Sequence, residues 1–345
     1  MHNPNQPTNE HLFAALPAFI GYYPSEALVL VAVTAADDDK YLIGNVMVQD
    51  LTTMAAEPTS SAHAFLQAFG NEPILKVIGI IVTDRPHDLA DLPLRLQVND
   101  FTSACRTASR QSIEFAYLPR FSAGATWIGY CHAECRGTLS DPATSASALS
   151  LALEGYQIHE NRDALAALFA RAPESERAGI ERLVAAAATA VRAEDRAGDV
   201  IALRTRLGRL DSAISNAREG ALPHSDEHLA DLISAFASYH ISMALITVAD
   251  QTNYAAPAGN LLLHLLRLAP TAEGRQIAAV LAAVSYVRGD GTWARLAAEA
   301  INPPANLSSL IMEGLHAGAP HAETASVLLD HAHNARRTLM NSAQT

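Results

Sequence analysis

The chain has 345 residues, 49% of them apolar, and a formal charge of −12. That is enough length for two domains and too much apolar content for a disordered chain, and the acidic surface repels phosphate backbones, which argues against general nucleic-acid binding. Three cysteines make no disulfide framework, the opening MHNPNQPTNEHLF lacks the basic and apolar regions of a signal peptide, and the apolar runs Ala27–Val33 and Leu183–Val191 are far short of a bilayer. The expectation is a soluble cytoplasmic protein with no membrane association.

In chain order, Thr8 or Asn9 can cap a helix through Leu16, which Pro17 should limit. The turn Gly21-Tyr22-Tyr23-Pro24-Ser25 then feeds a strand at Ala27–Thr34, rich in β-branched residues. A second strand is expected at Tyr41–Gln49. The short acidic connection between the two allows a hairpin and no parallel crossover. Thr59 or Ser60 starts a helix to Phe69, which Gly70 should end. Ile74–Thr83 (ILKVIGIIVT) is almost continuously apolar, the signature of a strand covered on both faces. A helix at Asp100–Ser109 and strands at Ile113–Leu118 and Thr126–Tyr130 complete the order β-β-α-β-α-β-β, a mixed sheet with helices packed on it. No glycine fingerprint follows any strand, so a dinucleotide-binding fold is not indicated.

From about Ser145 the apolar period lengthens from two to between three and four. Ile180, Leu183, Val184, Ala187 and Val191 form one stripe; Val200, Leu203, Leu207, Leu210 and Ile214 form another. A third runs through Leu229, Leu232, Ile233, Phe236, Met243 and Ile246, and further helices follow to Arg337. The segment 276–317 loosely resembles a tetratricopeptide-like helix pair. The fold expected is α+β: a mixed α/β sheet domain over residues 1–142, then an all-α antiparallel helical domain over 143–345.

Two groups can carry chemistry. Thr83-Asp84-Arg85-Pro86-His87 lies just past the end of the strongest strand, the edge where open sheets hold ligands. There Asp84 and His87 can act as acid and base and Arg85 can hold a carboxylate or phosphate, with Asp50 ending a neighbouring strand. The plain reading is a polar loop capping its own turn. Cys131 and Cys135, spaced C-x3-C, are half of a zinc set. The second half is missing, since Cys105 is the only other thiol and His159 the nearest outside histidine. Free thiols and no cofactor are therefore expected, with zinc the competing possibility. Arg204, Arg206 and Arg209 read as a helix face paired with acids such as Glu194 and Asp211. Ser225 or Asp226 should cap the turn carrying His224 and His228, and His240 is expected on the apolar face of its helix.

Four segments carry a family likeness: LPAFIGYYPSEALVL (16–30), Val48-Gln49-Asp50-Leu51, the stretch Trp127–Leu165 with Tyr130-Cys131 and Leu139-Ser140-Asp141-Pro142, and YVRGDGTWARLA (286–297). In that order and spacing the chain resembles the bacterial "domain of unknown function 4192" family, common in actinobacteria. Gln49 stands where the family carries arginine, and Ala27 where it carries serine. The resemblance implies the two-part architecture and names no reaction. Two functions follow from the residues: a non-catalytic binding or regulatory module with a protein partner or a second copy, or an enzyme acting on a small polar substrate at the strand ends.

Overall fold

The computed structural model describes residues 9–35, 41–69, 74–85, 91–109, 113–131, 134–153, 155–302, 305–317 and 321–341. The fold is α+β. The chain divides into two compact units, one running to Leu165 and the other made, the short segment 317–320 apart, of the residues from Ala166 on.

In the first unit, α1 (Asn9–Ile20) runs past the expected stop and holds Pro17 inside it. A proline forfeits one helix hydrogen bond. Here the helix is held by burial, with Phe13 and Leu16 fully covered and the Pro17 carbonyl accepting from the Gly21 amide at 2.9 Å. Then follow β1 (Ala27–Ala35), β2 (Tyr41–Asp50), α2 (Leu51–Ala56), α3 (Pro58–Phe69), β3 (Ile74–Val82), α4 (Arg95–Ser109), β4 (Ile113–Leu118), β5 (Thr126–Gly129) and β6 (Arg136–Thr138). The short α2 and β6 carry too little periodicity to show in the sequence, and α4 begins five residues before the expected start. Gly70, expected to end α3, lies outside the described residues.

The strands form one sheet in the order β2-β1-β3-β4-β5-β6. β1 and β2 are an antiparallel hairpin, β1 and β3 are antiparallel, and β3 and β4 are the parallel pair. β3 lies inside the sheet, and Val77, Ile80, Ile81 and Val82 are fully buried, as the apolar run after Lys76 requires. On one face Phe65 of α3, Phe101 of α4, Phe115 of β4 and Tyr130 form a chain of tilted and edge-on rings, with centroids 5.6–6.3 Å apart. After β6, Asp141 caps a 3-10 turn at Pro142–Thr144, Ser145 caps α5 (Ala146–Leu153), and Asn161 caps α6 (Arg162–Ala167). One isolated parallel bridge joins Tyr22 to His159.

The second unit is helical: α7 (Glu174–Ala197), α8 (Val200–Arg218), α9 (Asp226–Ala235), α10 (Tyr239–Leu245), α11 (Ala255–Leu268), α12 (Thr271–Val287), α13 (Gly291–Glu299), α14 (Asn306–Ala317) and α15 (His321–Asn341). The centre is α12, buried continuously from Ile277 to Tyr286 and packed on by α11, α13, α10 and α15. Alanines on α12 let neighbouring backbones approach. The third apolar stripe of the sequence is two helices and not one. Ser238 accepts from the Ile241 amide and starts α10 afresh, and the axis turns by 94°. His240 is therefore exposed, against expectation, with Nδ1 3.0 Å from Asp195. Among the described residues no single helix is long and apolar enough to cross a membrane.

Gly79 on β3 sits opposite Phe115 on β4, and a Cβ on it would lie 2.4 Å from the Phe115 ring. Gly79→Ala should therefore cost about 1–3 kcal/mol in urea unfolding, with part of the loss regained when Phe115→Leu accompanies it.

Candidate functional site

Strand register builds the polar edge. Ala27 is the partner of both Asp50 and Val82, and Val82 is the partner of Leu118, so β2 and the parallel pair end along one row with the start of β1 between them. Asp50 in that row and the residues just outside it (Glu26, Thr83, Asp84 and Arg85) come to one end of the sheet. Sequence reasoning named Asp50, Asp84 and Arg85 and missed Glu26, which joins them.

Glu26 is the hub. Its backbone is left-handed, at φ 46°, a conformation that costs a non-glycine residue about 1 kcal/mol or more. One carboxylate oxygen accepts from the buried Thr83 hydroxyl at 2.5 Å, and the other lies 2.7 Å from the Arg85 guanidinium. The Glu26 carbonyl accepts from the Leu51 amide at 3.0 Å, tying the hub to α2, and Thr83 Oγ1 accepts from the Arg85 amide at 3.3 Å. The sequence signal nearest this hub is the turn Gly21-Tyr22-Tyr23-Pro24-Ser25 feeding a strand.

Asp50 is the N-cap of α2, accepting from the Thr52 amide at 2.8 Å, from the Thr53 amide at 3.3 Å and from the Thr52 hydroxyl. The Thr52 hydroxyl, the two amides and the nearby Arg85 charge hold its carboxyl below the usual carboxylate range, outweighing the small cost of burial. Asp84 is exposed at the same end, and its charge adds to burial in raising the Tyr117 phenol. His87 lies outside the described residues. The edge is thus internally paired: Arg85 is neutralised by Glu26, and Asp50 is committed to a cap.

Cys131 and Cys135 come together at the turn between β5 and β6, and both are free thiols. Cys105, the third, is fully buried in the core between α4 and the sheet, where burial pushes its thiol up to about 12. The backbone of His159 is bonded to Gly21 and Tyr23. Among the described residues no group of three or more histidine, cysteine or acidic side chains can hold a metal ion; His132, between the two thiols, is not among them.

In the helical unit Arg204, Arg206 and Arg209 of α8 are each engaged by other parts of the fold. Arg204 donates to the Leu339 and Met340 carbonyls, Arg206 grips both oxygens of Glu194 at 2.6 and 2.8 Å, and Arg209 reaches Asp231 at 2.8 Å. Asp211 pairs with Arg336. Ser225 caps α9 through the His228 amide, so the turn carrying His224 and His228 is a cap.

A family model described as "Domain of unknown function (DUF4192)" matches residues 10–322. The chain belongs to this family. The matched span takes in the sheet unit from α1 onward and the helical unit as far as the start of α15. No curated protein and no solved structure matches the chain.

The hydrogen bonds from Arg206 are the largest influence on Glu194 and hold its carboxyl below the usual range against the opposing effect of burial. A depressed acid stabilises the fold above its unfolded pKa and loses that contribution as pH falls through the folded value. Glu194→Gln should lower stability by about 1 kcal/mol at neutral pH and flatten the loss of Tm below pH ~4.3, read by thermal unfolding across a pH series.

Proposed function

We propose that this protein is a non-catalytic binding module of the cytoplasm that docks a helix of a protein partner against α5. One observation carries the reading. The helix α5, ASALSLAL, holds no charged residue and buries only Ala148, while Ala146, Leu149 and Leu153 face solvent and Leu153 is 90% exposed. Positions 146, 149 and 153 recur at three and four residues, the spacing of a seam between helices. A helix with this composition gains little from water on that face, and a partner helix laid along it buries both leucines.

The polar edge of the sheet supports the same conclusion from the other side. An acid or base in catalysis needs an unspent proton site facing substrate, and there Glu26 is committed to Thr83 and Arg85 while Asp50 is committed to α2. The acidic composition and the internal pairing of the arginines on α8 support a protein partner over a nucleic acid.

Burying two leucines is worth about 1.5–3 kcal/mol each. Leu149→Lys with Leu153→Lys should therefore weaken association at least tenfold and leave Tm unchanged, because both side chains are exposed in the free protein. Sedimentation of the purified protein tests a second copy as the partner, and co-purification from the native cell tests a different one. Equal association by the charged variant in both experiments overturns the reading.

A second reading, an enzyme or receptor for a small polar molecule at the strand ends, draws on the strained backbone of Glu26, since such strain gathers at functional sites. On that reading a small carboxylate or phosphate raises the Tm of the native protein, and Arg85→Ala abolishes the rise. A screen of such anions that moves neither protein removes this reading.

A further inference from the structure

The turn between β5 and β6 brings two sulfurs into one place. Cys131 follows the end of β5 and Tyr130; Cys135 directly precedes β6. The Gly129 amide donates to the Cys135 carbonyl at 2.6 Å, which closes the turn and sets Cys135 beside Gly129. A Cβ built on Gly129 would lie 2.7 Å from the Cys135 sulfur and 3.2 Å from the Cys131 sulfur. Both side chains therefore lean over the same glycine and fill the space its missing side chain leaves. Cys131 is exposed and Cys135 half-buried.

A metal is the weaker use of this pair, because two sulfurs are half of a tetrahedral set and the described residues add no third ligand. A bond between the sulfurs needs no further ligand. We propose that Cys131 and Cys135 are a reversible two-electron oxidation site, which closes a disulfide across the β5–β6 turn when the protein meets a hydroperoxide.

The chemistry runs in two displacements. The Cys131 sulfur, as thiolate, attacks the terminal peroxide oxygen. An S–O bond forms, the O–O bond breaks, and the leaving oxygen takes a proton and departs as water or alcohol. Cys131 is then a sulfenic acid. The Cys135 sulfur attacks the Cys131 sulfur, the S–S bond forms, the S–OH bond breaks, and hydroxide leaves with the Cys135 proton as water. Two thiols have lost two electrons and two protons, and one hydroperoxide has been reduced. Two equivalents of a small thiol reverse the change by exchange and leave as their own disulfide.

The order of attack follows from exposure. Cys131 is the sulfur that a dissolved oxidant reaches. Burial, and then the neighbouring Cys131, push the Cys135 thiol up to about 11, so it stays protonated until the sulfenic acid is beside it. Cys105, wholly covered in the core, takes no part.

The test treats the folded full-length chain with hydrogen peroxide, unfolds it with alkylating reagent present, and weighs it. The expected product has lost two hydrogens, carries one alkyl group in place of three, and recovers all three after dithiothreitol. Cys105→Ser should still close the bond. Cys131→Ser should not, and Cys135→Ser should leave a sulfenic acid that dimedone traps at Cys131. Gly129→Ala, which displaces both sulfurs, should slow closure at least tenfold. The proposal is overturned if the native chain gains oxygen at Cys131 while Cys135 stays alkylatable, or if the only disulfides formed join two chains. The mass of the unmodified sequence decides the matter even if a variant fails to fold.

Discussion

A glycine facing a phenylalanine sets the geometry of the sheet unit. Gly79 and Phe115 are partners across the one parallel strand pair, and the ring lies where a side chain on residue 79 would be. From Val77 to Val82 β3 is apolar and buried, so simple alternation of polar and apolar residues cannot choose its register there. The notch does. A slip of one residue sets the Phe115 ring against Ile78 or Ile80 and breaks the ring chain through Phe101 and Phe65 that ties α3 and α4 to the sheet.

From that register the rest of the unit follows. With Val82 beside Leu118 on one side and Ala27 on the other, and Ala27 beside Asp50, Glu26 falls between Thr83 and Arg85. Its backbone strain is offset by three attachments: the Thr83 hydroxyl, the Arg85 guanidinium and the Leu51 amide. At the other end of β4 the Phe115 carbonyl accepts from the Tyr130 amide at 2.9 Å, and the residue after Tyr130 is Cys131. The paired thiols thus follow a strand that pairs with β4, whose Phe115 ring fills the notch. Two polar features of the sheet unit are an edge where Glu26 holds Thr83 and Arg85, and a turn where two sulfurs meet over Gly129.

The helical unit rests on a different principle. Its central helix α12 is lined with alanine and buried for ten consecutive residues, and its charged groups are paired across helices, Arg206 to Glu194, Arg336 to Asp211 and Arg192 to the buried Glu273 at 2.5 Å. These pairs select which helix faces meet, because a wrong pairing leaves a charge without its partner. The basic stripe on α8 is accordingly an internal fastener.

Short-range physics made much of this legible in the sequence. β-branched runs specified β1 and β3, apolar repeats specified α7 and α8, and the capping side chain Ser225 marked the start of α9, because each of these signals acts within a few residues of itself. What acts over distance was not legible. Pro17 stays inside α1 because burial outweighs one missing hydrogen bond, and the apolar stripe from Leu229 to Ile246 divides because Ser238 turns to Asp195 on another helix. Glu26 falls between a turn and a strand in the sequence and is a hub in the structure. Leu149 and Leu153 of α5 are apolar, yet both are exposed. The pattern of a chain states which residues prefer to be buried; only the packed fold decides which of them are, since burial is a property of what lies opposite.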